Sequence, residues 1–150
     1  MFQIIIVSDS FNHFEKPISE YIKRLGKDIK IIKIKPEKNG EISTIIRKET
    51  EKIKEVLEKE KGFIIGLDFL GDELSTEAFN EFANKTIQRQ SKLTFVIGGS
   101  YGYDKELMEP ILHKKLSLSK MTFPHSMAFL MLIEQIYRIK SIEKNTGYHH

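Results

Sequence analysis

The sequence predicts an α/β fold built as a single domain over residues 1–150. Two observations lead to this prediction. Segments with the composition of buried strands alternate along the chain with segments of helical periodicity. No repeat, low-complexity tract or long linker divides the chain, and 150 residues are enough for one hydrophobic core. A hydrophobic fraction of 40% and a charged fraction of 30% are typical of a globular protein.

The first half of the chain supplies two strands and two helices. Residues 2–7 are apolar on both faces and predict a central strand. Residues 17–25 predict a helix, because Pro17 suits a first turn and the apolar residues fall on one stripe. An isoleucine-rich run over 29–34 predicts the second strand. A charged helix over 43–60 follows, in which Glu and Lys support one another across successive turns.

The second half continues the alternation. Residues 63–68 predict a buried strand that ends in a loop, and Ser75 or Thr76 caps the helix after it. Residues 93–97 predict the next strand. The elements expected after it are a short helix over 104–113, a short strand over 116–118 and a final helix over 126–142.

The final helix is apolar over much more than one stripe, which indicates burial on several sides. A homodimer interface is the favoured explanation for this pattern. Burial entirely within one chain is the alternative.

Charge identifies no partner class. The net charge is +3, and 24 basic residues are intermixed with 21 acidic ones, so an RNA partner is allowed while a solvated mixed-charge surface is the simpler explanation.

The absence of cysteine excludes disulfides and a thiolate zinc site. The first apolar run is too short for a membrane span and lacks the features of a leader. We therefore expect a cytoplasmic protein with neither membrane nor DNA partners.

Residues 95–102, Phe-Val-Ile-Gly-Gly-Ser-Tyr-Gly, are an apolar strand that runs into a glycine-rich turn. Glycines there permit positive φ and let backbone N–H groups approach a ligand closely. The segment matches neither the dinucleotide fingerprint nor the phosphate-binding loop. Taken alone, it is more typical of a tight turn than of a ligand site.

Three loops leave the carboxyl ends of predicted strands, after residues 67, 97 and 118, and ligands of open parallel sheets bind at such ends. Leu67, Met121 and Phe123 can enclose an aromatic ring whose polar edge the loop backbone reads. Plain core packing is the alternative for these apolar residues.

The histidines indicate no metal site, because none of the five stands at metal-ligand spacing from another ligand. His125 follows Pro124 just ahead of the final helix. It serves there either as a structural cap or as a ligand contact, and the sequence leaves both open.

Three segments, in their order and spacing, resemble the RlmH (YbeA) family of SPOUT methyltransferases. They are the glycine-rich turn over 95–102, Leu-Ser-Lys-Met-Thr-Phe-Pro-His over 118–125, and Gly-Tyr-His over 147–149. The similarity spans nearly the whole chain and is strongest from Phe63 onward. It implies a SPOUT fold, a mostly parallel sheet with helices on both faces and a C-terminal deep trefoil knot. It also implies an obligate homodimer.

The resemblance implies methylation of N3 of a pseudouridine in large-subunit (23S) ribosomal RNA, with S-adenosyl-L-methionine as cofactor. The cofactor-binding residues that it implies are Leu67, Gly98, Gly99, Gly102, Leu118, Ser119, Lys120, Met121, Thr122 and Phe123. The residues that it ties to the RNA end of the site and to proton removal are His125, Arg138, Tyr148 and His149.

One departure from the family pattern lies after the first strand, where Ile-Val-Ser-Asp-Ser over 6–10 replaces a common Ala-Val-Gly-Lys turn. Two other functions stay open. One is a SPOUT methyltransferase with a different RNA target, and the other is a non-catalytic ribosome- or RNA-binding protein. The intact Gly98, Gly99 and Pro124 argue against the second of these.

Overall fold

In a computed structural model, which describes residues 1–149, strands and helices alternate as expected. Two short 3-10 turns, over 12–14 and 26–28, flank the first helix. The elements are β1 (Phe2–Val7), α1 (Glu15–Leu25), β2 (Ile29–Ile34), α2 (Ile42–Glu58), β3 (Phe63–Glu73), α3 (Thr76–Gln90), β4 (Leu93–Ile97), α4 (Lys105–Met108), β5 (Lys114–Ser117) and α5 (His125–Glu143). No helix among these is long and apolar enough to cross a membrane.

The five strands form one parallel sheet in the order β2-β1-β4-β3-β5. β1 lies inside the sheet, and Phe2 pairs with Ile29 on one side and Leu93 on the other. Every residue of β1 and β4 is buried, which confirms the expectation that an apolar run without alternation marks an interior strand.

Helices cover both faces of the sheet, because alternate residues of a strand point to opposite sides. Ile4 and Ile6 of β1 pack into one core with α1, α3 and α5, whereas Ile5 and Val7 pack into a second core with α2 and α4. The predicted α/β sheet with helices on both faces is confirmed. The trefoil knot stays a prediction.

Helices α1, α2 and α5 differ from their predicted bounds by at most two residues at each end, and three larger or related differences lie at the β5 edge of the sheet. β3 continues to Glu73 instead of ending near residue 68, because after a bulge over 67–72 it pairs with β5. The predicted helix over 104–113 is wrong beyond Met108, since Pro110 lacks an N–H and the chain must turn to start β5 at Lys114. β5 therefore begins two residues earlier than predicted.

Most of the apolar surface of α5 is buried within its own chain. Phe129, Leu132 and Ile133 are fully inaccessible to solvent, and Phe129 stacks on Phe11 with ring centroids 4.7 Å apart. Met131 is 36% exposed. The helix thus gives less support to a homodimer than its sequence suggested, and the homodimer stays a prediction.

Candidate functional site

A cleft of about 660 Å³ opens at the carboxyl edge of the sheet. Residues 67–69 at the bulge of β3, the loop over 97–103 after β4 and much of the segment 118–125 after β5 line it. Its volume lies within the range of small-molecule sites in proteins. The three loops that the sequence singled out therefore meet at one place.

The loop after β4 turns so tightly that a side chain has no room at its first glycine. A Cβ on Gly98 would lie 2.3 Å from the carbonyl carbon of Gly102 and 2.6 Å from the amide nitrogen of Tyr103. The amide of Gly102, at a φ of +80°, donates a hydrogen bond of 3.0 Å to the carbonyl oxygen of Gly99. The turn presents backbone to the cleft in the way that close approach to a ligand requires.

Helix α2 packs against this glycine loop through Glu49 and Thr50. The side chain of Glu49 is buried, and its Oε1 would lie 2.7 Å from a Cβ on Gly99. Its Oε2 accepts a hydrogen bond of 3.0 Å from the amide of Glu37. The next residue, Thr50, accepts one of 2.8 Å from the amide of Asp104. Sequence reasoning missed both residues, although a glutamate between apolar residues on the core side of a helix is a readable signal.

Burial raises the pKa of Glu49, although the hydrogen bond from Glu37 opposes the shift. The folded protein therefore holds this proton more tightly than the unfolded chain, and ionisation at neutral pH destabilises the fold. We expect Glu49→Gln to raise the free energy of unfolding by on the order of 1 kcal/mol at pH 7. The gain should disappear as the pH falls below the ordinary carboxyl value of 4.5. Urea unfolding across this pH range measures it.

Glu55→Gln, on the exposed side of the same helix, is the matched control and should change stability little at any pH. A Glu49→Gln protein that was less stable than the wild type at pH 7 would show that the carboxylate is needed in its ionised form.

The loop after β5 is held by its serines. Ser117 donates a hydrogen bond of 2.7 Å to the carbonyl oxygen of Ser119, whose hydroxyl accepts one of 3.0 Å from the amide of Met121. The Met121 side chain is 75% exposed at the rim of the cleft. An exposed, flexible apolar side chain in that position can pack onto a flat ligand.

His125 is the first residue of α5 and lines the cleft. Pro124 occupies the N-cap, and no side chain caps the helix, so the ligand-contact interpretation of His125 is favoured over the structural cap. Burial lowers the pKa of His125, against a smaller opposing effect of Asp9. The imidazole is therefore neutral at neutral pH and can accept a proton.

Nine of the ten residues expected at a cofactor site line this cleft, and the exception is Lys120, which is exposed. The nine are Leu67, Gly98, Gly99, Gly102, Leu118, Ser119, Met121, Thr122 and Phe123.

Of the four residues expected at the RNA end of the site, only His125 lines the cleft. Tyr148 instead lies against α1 and α5, with its hydroxyl 3.2 Å from that of Tyr21 and 3.2 Å from Oε1 of Glu134. Arg138 pairs with the same carboxylate at 2.6 Å and lies over the Tyr148 ring. The hydrogen bond with Tyr21, together with burial, raises the pKa of Tyr148, which therefore remains a phenol at neutral pH.

A second cleft, of about 460 Å³, adjoins the first and shares Leu116 and Leu118 with it. It runs along α5 past Met131 to Glu134, and so reaches the residues that hold Tyr148. His149, the other terminal residue expected at the site, lies 3.3 Å from the carboxylate of Glu77.

Among the residues of the main cleft that sequence reasoning missed are Asp68, Tyr103 and Lys105. A carboxylate directly after a buried apolar run was the available signal for Asp68. Within residues 1–149, no three His, Asp or Glu side chains group closely enough to hold a metal ion.

The fold and the cleft define an α/β protein with a cleft of small-molecule size at the carboxyl edge of a parallel sheet. The family model described as "Predicted SPOUT methyltransferase" matches residues 1–149. The chain belongs to this SPOUT methyltransferase family, as its sequence motifs indicated.

Relatives match over most of their length. The ribosomal RNA large subunit methyltransferase H of Caldicellulosiruptor bescii is 41% identical over 142 residues, which are 91% of each chain. The protein of the same name from Thermotoga maritima is 33% identical over 144 residues, 96% of this chain and 91% of the relative. A solved structure from Bacillus anthracis, provisionally named as an RNA methyltransferase, superposes with a TM-score of 0.61 at 14% identity, covering 94% of this chain and 95% of its own. This last match supports the fold alone.

Proposed function

We propose that this protein transfers a methyl group from S-adenosylmethionine to N3 of a pseudouridine in large-subunit ribosomal RNA. The observation that carries the proposal is the convergence of nine expected cofactor residues on one cleft. The names of the relatives from Caldicellulosiruptor bescii and Thermotoga maritima support ribosomal RNA as the substrate.

The residues of the cleft fit this cofactor. The tight turn at Gly98, which a Cβ would fill, leaves backbone groups free to read the edge of an adenine. Leu67, Met121 and Phe123 supply apolar surface for its faces. The carboxylate of Asp68 adds an acceptor for polar groups of the ligand.

When bound, S-adenosylmethionine supplies a methyl group on a sulfonium sulfur, and a neutral thioether is a good leaving group. The chain therefore has to bind and orient the two reactants and to remove the N3 proton. The neutral imidazole of His125 is the group at the cleft that suits proton removal. Tyr148, whose raised pKa keeps it protonated, suits hydrogen bonding to RNA. Arg138 suits pairing with a phosphate.

The proposal includes a homodimer. Arg138, Tyr148 and His149 lie outside the main cleft of their own chain. Arg138 and Tyr148 contact Glu134, which lines the adjoining groove, and His149 contacts Glu77. A second copy seated on this groove would cover its partly exposed apolar residues, among them Met131, which is 36% exposed. It would also bring Tyr148 and His149 of one copy toward the cleft of the other.

A methylation assay with radiolabelled S-adenosylmethionine tests the proposed activity. The substrates are assembled ribosomes, isolated large subunits and free ribosomal RNA from a strain that lacks its own enzyme. Label recovered as N3-methylpseudouridine in large-subunit RNA is the expected result. Label in another nucleotide would establish a different RNA target. No label, from protein that binds the cofactor, would contradict the proposed substrate.

The role of the terminal residues is tested separately. We expect Tyr148→Phe and His149→Ala each to lower kcat on ribosomes by about tenfold or more, because both remove contacts at the RNA end of the site. Binding of S-adenosylhomocysteine, measured by calorimetry, should stay unchanged. Glu77→Gln, which removes only the partner of His149, is the control for tethering of the terminus. Full activity of both terminal variants would contradict the assignment.

A further inference from the structure

The main cleft contains a carboxylate that lacks one of its hydrogen bonds. The side chain of Asp68 is only 4% exposed. Its Oδ1 accepts a hydrogen bond of 2.9 Å from the amide of Leu70, but its Oδ2 has no hydrogen-bond partner. The nearest cation is Nζ of Lys105, at 3.6 Å, which is an ion-pair distance and too long for a hydrogen bond.

Such an arrangement is costly in a protein that has no use for it. A buried carboxylate oxygen without a donor loses its hydrogen bonds to water and gains no hydrogen bond in exchange, which destabilises the folded protein. Buried polar groups are nearly always satisfied, and exceptions concentrate where a ligand or catalysis supplies what is missing. Asp68 lies in the lining of the cleft, between Leu67 and Phe69, so a ligand bound in the cleft can supply the missing donor.

The surroundings of Asp68 indicate which kind of donor is missing. Lys105 already balances the charge of the carboxylate, so the site lacks a hydrogen bond and not a cation. The Lys105 side chain is half exposed and lies near the Phe69 ring, 5.4 Å from its centroid, which leaves it free to shift when a ligand enters. A neutral donor such as a hydroxyl meets this requirement better than an ammonium group does.

The position of Asp68 next to Leu67 indicates which hydroxyl of the ligand would donate the missing hydrogen bond. Leu67 is one of the apolar residues placed against the adenine, and the ribose is the group bonded directly to that ring. We infer that Asp68 accepts a hydrogen bond from a ribose hydroxyl of the cofactor and selects ribonucleoside over deoxyribonucleoside ligands. This inference rests on the proposed function, which supplies the adenosine.

Calorimetry on the full-length chain tests the inference without turnover. The ligands are S-adenosylhomocysteine, 5′-methylthioadenosine and the two methylthio nucleosides that lack the 2′ or the 3′ hydroxyl. Wild-type protein should bind one deoxy ligand about tenfold or more weakly than 5′-methylthioadenosine, the ratio typical of a lost hydrogen bond to a charged group. Asp68→Asn should weaken 5′-methylthioadenosine to a similar extent and abolish the preference for the hydroxyl.

Asp72→Asn is the matched control, because it makes the same substitution on the same strand at a carboxylate that is 70% exposed. It should leave every affinity unchanged, and thermal unfolding of both variants shows whether they fold alike. An Asp68→Asn protein that kept the wild-type preference would overturn the inference. So would a loss of affinity for S-adenosylhomocysteine without a loss for 5′-methylthioadenosine, since that result assigns Asp68 to the amino acid part. A wild-type chain that bound none of these ligands would overturn the proposed function and this inference with it.

Discussion

Gly98→Ala is expected to abolish cofactor binding, with an affinity for S-adenosylhomocysteine at least about a hundredfold below that of the wild type. The new methyl group would lie 2.3 Å from the carbonyl carbon of Gly102 and 2.6 Å from the amide nitrogen of Tyr103. Both are backbone atoms of the same turn, so no side chain can rotate out of the way. The turn has to open, and its backbone then no longer faces the cleft.

Calorimetry measures the affinity, and thermal unfolding measures how much of the change is a general loss of stability. Gly26→Ala is the control, because Gly26 also has a positive φ, +52°, but no atom lies within 4 Å of an added Cβ. It should cost about 1 kcal/mol of stability and leave binding intact. A Gly98→Ala protein with wild-type affinity would show that the glycine loop is not part of the binding site.

The interior strands of the sheet were easier to predict from the sequence than the strand ends at the β5 edge. β1 and β4 could be recognised as interior strands because continuous burial demands continuous apolar sequence. The extension of β3 to Glu73 could not, because residues 68–73 are mostly polar or exposed and join the sheet only through pairing with β5 after a bulge. Long-range pairing of this kind leaves no local pattern to read.

Some residues of the candidate site could likewise be predicted from the sequence, whereas others could be recognised only in the structure. Residues that shape the cleft through backbone or apolar contact, such as Gly98 and Leu67, belong to motifs that can be read along the chain. Glu49 and Asp68 depend on what the fold places beside them, a glycine loop in one case and a lysine from the short α4 in the other. The sequence carries a signal that each carboxylate lies near the core, but the groups that each one contacts become visible only in three dimensions.

For the residues near the end of the chain, the sequence indicated their importance but not their position relative to the cleft. Sequence places Tyr148 at the RNA end of the site, whereas within one chain it bonds to Tyr21 and Glu134 beside a neighbouring groove. A motif can indicate that a residue belongs to a functional site without indicating whether it acts at the cleft of its own chain or at that of a second copy. The oligomeric state is therefore the question on which the interpretation of these residues depends.

Met131→Glu is expected to convert the proposed homodimer into a monomer and to remove methylation activity. Met131 is exposed on α5 and lines the groove on which we place the second copy. A carboxylate there would have to be buried without a partner on association, which should weaken the dimer by about a thousandfold or more. Analytical ultracentrifugation over a range of concentrations measures the change, and the ribosome assay is then run on the same samples.

Ile42→Glu provides the matched control, since Ile42 is 54% exposed at the start of α2, on the opposite face of the sheet from α5. This variant should keep both the wild-type mass in solution and the wild-type activity. The two readouts separate two ideas about α5. A Met131→Glu protein that remained a dimer would place the interface elsewhere. A monomer that still methylated ribosomes would mean that Arg138, Tyr148 and His149 act on the cleft of their own chain or not at all.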